Sequence, residues 1–290
     1  MTMKKYFLVL CLALVSLGAC LNSCNKEKVK KEDVKEEDEC FVSKEPSKCV
    51  AVLEEYGGVD CQYCPDGHDV VDYILETYPY SSVAINIHAG SYASSYTTPF
   101  GEALLDQTSR GGFPTGTVNR HNFGGEMSAN GGTAMSRGYW MTAVEKVITW
   151  DSPVNMAAIA TIDRATRTMT VEVQAYYTAD GPGTSNKLNV ALLQDNIEGY
   201  QQGSQYNPSH LLPNGKYNHM HVLRHLITGQ WGETITNISA GSFVKKTYTY
   251  QIPTYMNDAN VNLDDLRIVV FMAKDKQEII TGAEALMIIE

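Results

Sequence analysis

Two cysteines, in the order Cys61-Gln62-Tyr63-Cys64, give the clearest chemical signal in the sequence of 290 residues. Cysteines at this spacing can form a disulfide, exchange it with a partner thiol, or supply half of a zinc site. A second cysteine pair at zinc spacing is missing from the sequence. The pattern therefore favours disulfide chemistry.

A strand and a helix are expected to position this pair. Residues 50–56 form an apolar, β-branched run that leads through a glycine pair to the cysteines, and residues 70–78 carry apolar side chains at helical spacing. The order predicts strand, loop, dithiol and helix. Cys61 would then lie at or near a helix N-terminus, where unpaired N–H groups and the helix dipole favour a thiolate. His68 is expected on the helix surface.

The rest of the first half continues this alternation. Residues 82–88 predict a buried strand, and residues 100–105 and 133–150 predict helices. Between them, Pro114 opens a further strand and follows two glycines and Phe113. That context makes Pro114 a candidate cis peptide.

From residue 151 onward, short strands separated by turn residues replace the helices. Seven segments fit this pattern: 156–162, 168–177, 187–193, 243–252, 266–272, 278–281 and 285–289. They predict an antiparallel β-sandwich of the immunoglobulin-like kind. A long segment, 194–235, interrupts the strands.

Three histidines in that interrupting segment invite a metal interpretation. His221 and His225 would share a helix face, whereas His219 and His221 would share a strand face. One local structure cannot satisfy both periods. We therefore predict no metal site and keep the three histidines only as candidates.

Residues 1–24 have the pattern of a lipoprotein signal peptide. A lysine pair precedes an apolar run over residues 6–19 that is too short for a permanent membrane span. Cleavage before either Cys20 or Cys24 fits. We predict lipid attachment at Cys24, with Cys20 as the alternative, because Cys24 leaves an even set of cysteines in the mature chain.

Residues 25–39 are charged and almost free of apolar side chains, so we expect a flexible tether. Cys40 and Cys49 then flank a short loop. Two cysteines this close in an exported protein predict a structural disulfide. The alternative is that one of them exchanges with the Cys61–Cys64 pair.

The net charge and the absence of two sequence motifs argue against further classes of function. A formal net charge of −10 argues against a nucleic-acid partner. The sequence contains neither a phosphate-binding glycine motif nor a nucleophile elbow, so hydrolase chemistry has no support. We expect no cofactor.

Several motifs together resemble the twenty-eight-kilodalton outer membrane protein family of Bacteroides and Porphyromonas type bacteria. They are Cys61-x-x-Cys64-Pro65-x-Gly67-His68, Gly112-Phe113-Pro114-Thr115, His221-Val222-Leu223-Arg224 and Gln230-Trp231-Gly232-Glu233. The resemblance implies an outer membrane lipoprotein in the cell envelope, displayed on the outer face by its acidic tether. The family is discussed as a surface antigen or adhesin.

The order of elements around the dithiol is also similar to the thioredoxin-like fold. That resemblance implies an α/β thioredoxin-like domain over residues 40–150, followed by the sandwich over residues 151–290. It places Pro114 beside the dithiol, and it makes Glu55 the buried acid that takes the proton of the second cysteine. The usual tryptophan before the first cysteine is replaced by Asp60, whose charge would raise the pKa of Cys61.

Two functions remain open from the sequence. In one, the chain exchanges disulfides with a protein substrate through Cys61 and Cys64, assisted by Pro114 and Glu55. In the other, it is a non-enzymatic surface binding protein or adhesin with a structural Cys61–Cys64 disulfide. In both, the N-terminal lipid attaches the chain to the membrane, and the partner is a protein disulfide or a surface ligand.

Overall fold

The computed structural model describes residues 40–109, 111–128 and 131–290. The expected signal peptide, the lipidated Cys24 or Cys20, and the charged tether lie outside these described residues. Within the described residues, no helix is long and apolar enough to cross a membrane.

Three α-helices and nineteen strands form in the described part of the chain. The helices are α1 (Cys64–Thr77), α2 (Gly101–Asp106) and α3 (Trp140–Val147). The strands are β1 (Ser47–Lys48), β2 (Ala51–Gly57), β3 (Ser82–His88), β4 (Thr115–Val118), β5 (Met135–Ser136), β6 (Asp151–Ser152), β7 (Val154–Asp163), β8 (Thr168–Tyr177), β9 (Asn186–Gln194), β10 (Ile197–Gly199), β11 (Tyr217–His219), β12 (Val222–Leu226), β13 (Glu233–Ile235), β14 (Phe243–Gln251), β15 (Tyr255–Met256), β16 (Ala259–Asn260), β17 (Leu266–Lys274), β18 (Glu278–Glu284) and β19 (Leu286–Ile289). The expected β-rich character is confirmed.

The largest sheet joins strands from both halves of the sequence. Its order is β18-β17-β9-β12-β3-β2-β4-β5, and β13 also pairs with β9. Strands β2, β3 and β12 run parallel, and Val222 of β12 pairs with Asn86 of β3. Strands on both sides of residue 150 therefore belong to one sheet. The domain boundary expected at that residue does not take this shared sheet into account.

A smaller sheet, in the order β14-β8-β7-β19, packs across one core against the large sheet. The core is filled by alternating apolar side chains such as Val171 and Val173 of β8 and Val190 of β9. Strand β19 runs parallel to β7, so the expectation of a wholly antiparallel sandwich is wrong at this edge. Only Ala285 separates β18 from β19, and the chain steps directly from one sheet to the other.

Helices α1 and α3 cover one face of β2 and β3, and α2 packs against the other face. Alternation along β2 directs Leu53 and Glu55 toward α1 and α3, where Leu53 packs with Ile74 and Trp140. Helix α3 begins at Trp140 rather than near residue 133. The preceding residues instead form β5, which pairs with β4, and Trp140 Nε1 donates to the Met135 carbonyl.

On the other face of β2, Glu54 forms a buried ion pair with Arg120. The Arg120 guanidinium donates to both carboxylate oxygens, at 2.5 and 2.6 Å. Both side chains are almost fully buried. This pair fixes the loop after β4 against the large sheet.

The predicted disulfide between Cys40 and Cys49 is wrong. Both are free thiols among the described residues, Cys40 exposed and Cys49 buried. Backbone pairing holds this segment instead, because β1 pairs with β6 and the Cys49 N–H donates to the Trp150 carbonyl. Burial raises the pKa of the Cys49 thiol to about 11.

Candidate functional site

Cys61 and Cys64 form a disulfide at the N-terminal end of α1. Cys64 is the first residue of the helix, and Cys61 lies in the turn before it. The cysteines are only 3% and 1% exposed. A side chain on Gly57 would bring its Cβ to 2.5 Å from the Cys64 sulfur, so the disulfide lies directly against the end of β2.

Pro114 lies at the same end of the sheet. The Phe113–Pro114 peptide bond is cis, and Pro114 directly precedes β4. Thr115 pairs with Tyr56, the residue before the glycine that contacts the disulfide. The position of a Cβ on Gly67 would be 3.1 Å from Pro114 Cγ, so the proline packs beneath the first turn of α1.

The carboxyl of Glu55 is buried under the same turn. Its Oε1 atom accepts no hydrogen bond from the described residues. A Cβ on Gly67 would lie 2.8 Å from this oxygen, so the helix needs a glycine there to approach the carboxyl. Burial, with a smaller contribution from Asp72, raises the pKa of Glu55 well above its usual value and favours the protonated form.

His68 occupies the space next to this carboxyl, and the expectation of a surface histidine is wrong. Its Nε2 lies 3.7 Å from Glu55 Oε1, and its Nδ1 lies 2.8 Å from the Tyr217 hydroxyl. Burial first, and then the nearby His219 and His88, lower the pKa of His68 well below its usual value. The imidazole is therefore held neutral.

Residues 200–210, which we call the cover segment, lie over the dithiol. They belong to the loop between β10 and β11, which are paired as a hairpin. The Gln201 side chain donates to the Cys61 carbonyl at 3.0 Å, and the Gln202 N–H donates to the Val59 carbonyl at 2.8 Å. These bonds hold the cover segment against the residues around Cys61.

Gly203 brings the cover segment into direct contact with the turn between the cysteines. Its φ is +74°, and a Cβ at this position would overlap the Gln62 carbonyl oxygen. Beside this contact, the rings of Tyr63 and Tyr206 lie 5.5 Å apart. The cover segment therefore closes over the turn with both backbone and aromatic contacts.

Asp72 of α1 anchors the far end of the cover segment. It accepts a hydrogen bond from the Asn207 amide at 3.3 Å, and it lies 3.0 Å from Nε2 of His210. Asp72, His210 and His221 also line an open cleft of about 820 Å³. The cover segment is thus held at the dithiol and at this cleft.

The three histidines proposed as metal candidates have separate neighbours. His219 packs against His88, and burial lowers its pKa to about 3. His221 lies 3.2 Å from Asp195, and His225 stacks on Tyr250. Among the described residues, no group of three or more histidine, cysteine or acidic side chains is placed to hold a metal ion.

Sequence reasoning identified Cys61, Cys64, Pro114 and Glu55, which the structure brings together. It missed His68 as a buried group, and it missed the whole cover segment. Tyr217 is 149 positions from His68. No local spacing in the sequence carries a signal for such a distant contact.

Comparison with known proteins gives the family. The family model of the outer membrane protein Omp28 matches residues 102–285. No curated protein matches the chain. Among solved structures, HBP35 of Porphyromonas gingivalis is 18% identical with a TM-score of 0.64, covering 82% of this chain and 75% of its own.

Two further structures are more distant. A protein from Agrobacterium tumefaciens is 10% identical with a TM-score of 0.50, covering 83% of this chain and 96% of its own. A domain of the outer membrane lipoprotein Omp28 from Porphyromonas gingivalis is 16% identical with a TM-score of 0.33. The match covers 48% of this chain and 91% of that domain. Since the family model spans more than half of the sequence, the chain belongs to the family of the outer membrane protein Omp28, and the predicted outer membrane localisation is confirmed.

Proposed function

We propose that this chain is a lipid-anchored outer membrane protein whose first half is thioredoxin-like and exchanges disulfides through Cys61 and Cys64. One observation carries the proposal: Pro114 and the buried Glu55 carboxyl lie under the first turn of α1, and the disulfide is at the start of that same turn. A helix N-terminus favours a thiolate, and a protonated acid nearby can supply the proton that a leaving thiolate needs.

The chemistry starts from the oxidised pair. A substrate thiolate attacks the Cys61 sulfur, the Cys61–Cys64 bond breaks, and a mixed disulfide forms. Cys64 leaves as a thiolate and takes the proton of Glu55. A second substrate thiolate then attacks the substrate sulfur of the mixed disulfide and releases Cys61 as a thiolate, which takes a proton from solvent. Two substrate thiols become a disulfide, and the protein pair becomes a dithiol; the reverse reaction reduces a substrate disulfide.

Exchange at Cys61 requires the cover segment to move, because the residue is only 3% exposed. The hydrogen bonds from Gln201 and Gln202 hold the cover segment at this point. Each is worth about 0.5–1.5 kcal/mol, which a bound peptide can replace with bonds of its own. The exposed rings of Tyr63 and Tyr206 give such a peptide an apolar surface beside the dithiol.

The same burial supports a second candidate, a non-enzymatic surface binding protein or adhesin. In that case Cys61–Cys64 is a structural disulfide that holds the turn before α1, and the cover segment protects it from reduction. Asp60 next to Cys61 agrees with this candidate, because its negative charge disfavours a thiolate.

The deciding experiment measures the redox activity of the purified protein. We expect it to oxidise a model dithiol peptide, with activity lost in Cys61→Ser and in Cys64→Ser. Cys40→Ser is the matched control and keeps the activity, because Cys40 is an exposed free thiol outside the pair. A reduction potential below about −300 mV together with no peptide oxidation would identify a structural disulfide and support the second candidate.

A further inference from the structure

We propose that Glu55 exchanges its proton with solvent through a separate route, by way of His68 and Tyr217 to the cleft beside Asp72. The inference rests on the proposed disulfide exchange, in which Glu55 loses and regains one proton in each cycle. His68 and Tyr217 touch neither substrate nor sulfur, so they are positioning and relay residues rather than catalytic ones.

A separate route is needed because the dithiol side is closed to water. Glu55 is only 2% exposed, and Cys61 and Cys64 above it are buried under the cover segment. A bound substrate would cover the same side. A proton returning to the carboxyl therefore has to reach it from the opposite direction, through the interior.

His68 provides the first step away from the carboxyl. One ring nitrogen faces Glu55 Oε1 at 3.7 Å, and the other is hydrogen-bonded to the Tyr217 hydroxyl at 2.8 Å. A neutral imidazole carries one N–H donor and one acceptor nitrogen. It can accept a proton at one nitrogen and release another at the other nitrogen without keeping a charge.

The gap between Glu55 and His68 is longer than a hydrogen bond, and a small cavity lies beside it. The cavity has a volume of about 10 Å³ and is lined by residues that include Glu55, His68 and Asn86. A single water needs roughly 10–15 Å³ of such space together with polar partners. One water can therefore bridge the carboxyl and the imidazole.

The route ends at solvent beside Asp72. The cavity next to Glu55 is also lined by Asp72, His210 and His221, and the same three residues line the open cleft. The ring of Tyr217 lies 5.3 Å from the ring of His210, and His210 Nε2 lies 3.0 Å from Asp72, so this imidazole can pass the proton on to the carboxylate. The Asp72 side chain is 28% exposed, which gives the relay contact with water.

The charged and titratable groups around His68 favour a concerted transfer. His88, His210, His219 and His221 face it from other elements, and all of them oppose a positive charge on its ring. Glu55 and Asp72 share the interior with it, and Asp72 opposes the charged form of Glu55. A proton therefore passes through His68 without a lasting imidazolium.

The test follows the Glu55 proton directly, by infrared spectroscopy of the purified oxidised full-length protein. The carboxyl C=O band that disappears in Glu55→Gln belongs to Glu55, and the rate of its shift after mixing into D2O is the proton exchange rate. We expect His68→Gln and Tyr217→Phe each to slow this rate by about 100-fold, the lower range for positioned proton transfer.

Two variants away from the route are matched controls with unchanged exchange rates. His121→Gln alters a partly exposed histidine beside Glu278, and Tyr177→Phe removes a buried hydroxyl bonded to Asn186. Equal rates in wild type, His68→Gln and Tyr217→Phe would overturn the route. A missing Glu55 band in wild type at pH 7 would overturn it as well. If His68→Gln does not fold, Tyr217→Phe decides alone.

A second measurement separates this route from the proposed function. The rate at which dithiothreitol reduces the disulfide is compared in H2O and D2O, and we expect a larger isotope effect in His68→Gln than in wild type. If the wild-type disulfide does not exchange at all, the proposed function fails, while the infrared rates still decide whether the route exists.

Discussion

Glu55 and His68 form a buried acid–imidazole pair, with 3.7 Å between Glu55 Oε1 and His68 Nε2. The carboxyl lies under the first turn of α1, the helix that begins with the disulfide, and the cavity beside the pair shares Asp72, His210 and His221 with an open cleft. The pKa of the carboxyl is raised and that of the imidazole is lowered, so both favour their neutral forms. The stability of the protein should therefore depend on pH in a defined direction.

The first prediction concerns Glu55→Gln. The raised pKa means that the folded state holds the Glu55 proton more tightly than the unfolded state, whose value is near 4.5. Relative to the variant, wild-type stability is therefore greatest below about pH 4.5. It falls as pH rises through the folded-state pKa, by up to about 1.4 kcal/mol per pH unit.

Urea unfolding of wild type and Glu55→Gln over a pH series measures this difference. The control is Glu126→Gln, which changes an exposed glutamate in the loop between β4 and β5. A stability difference between wild type and Glu55→Gln that stays constant with pH would show that the carboxyl ionises normally in the folded protein.

The second prediction concerns the buried pair of Glu54 and Arg120. Arg120→Met leaves the Glu54 carboxylate buried without its partner, and we expect a loss of about 3–5 kcal/mol in the free energy of unfolding. Arg164→Met is the matched control, because Arg164 pairs with Asp264 on the surface, where solvent screening leaves an ion pair little net effect on stability. Similar losses in the two variants, measured by denaturant unfolding, would contradict the prediction.

The third prediction tests the cover segment with Gly203→Val. The new side chain would overlap the Gln62 carbonyl, and the positive φ of +74° disfavours it further, so the cover segment should lift. If the overlap with Gln62 destabilises the closed position of the cover segment by about 1–3 kcal/mol, dithiothreitol should reduce Cys61–Cys64 roughly 5- to 160-fold faster.

Gly215→Val is the control for that change. It has the same strained backbone, with φ of +80°, but its Cβ would meet no atom of the described residues within 4 Å. We expect its reduction rate to match wild type. Acceleration of equal size in both variants would mean that general destabilisation, and not release of the cover segment, exposes the disulfide.

The fourth prediction concerns the free thiols. In the native protein a thiol reagent should modify Cys40 quickly and Cys49 only after unfolding, because Cys49 is buried and its pKa is raised to about 11. Peptide mass spectrometry of the native protein locates the modified thiols and the disulfide. A Cys40–Cys49 crosslink in that map would contradict the structure. The same map would show whether Cys24 or Cys20 carries the lipid.

Much of the local structure could be predicted from sequence because hydrophobic periodicity is a local property. The strands Ser82–His88 and Thr168–Tyr177 have the predicted ends. The dithiol helix also forms where the apolar spacing indicates it. The strand, dithiol and helix around Cys61 follow from the same short-range pattern, and so does the strand that Pro114 opens.

The remaining features depend on contacts between distant residues, which periodicity does not carry. The segment 194–235 has no clear period, yet it supplies both the cover segment and β12 at the centre of the large sheet. His68 is buried because Tyr217 comes to it from that segment. The Cys40–Cys49 disulfide was expected from spacing alone, whereas the pairing of β1 with β6 fixes the same segment without it.

The position of β12 in the large sheet has a consequence for how this protein can evolve and be engineered. Strand β12 pairs with one edge of β3, so the half of the chain that carries the dithiol does not satisfy the backbone hydrogen bonds of this edge by itself. If the chain were cut at residue 150, β3 would become an unpaired, apolar edge strand that can pair with strands of other molecules and aggregate. The half that carries the dithiol therefore needs strand β12 from the second half to complete its sheet.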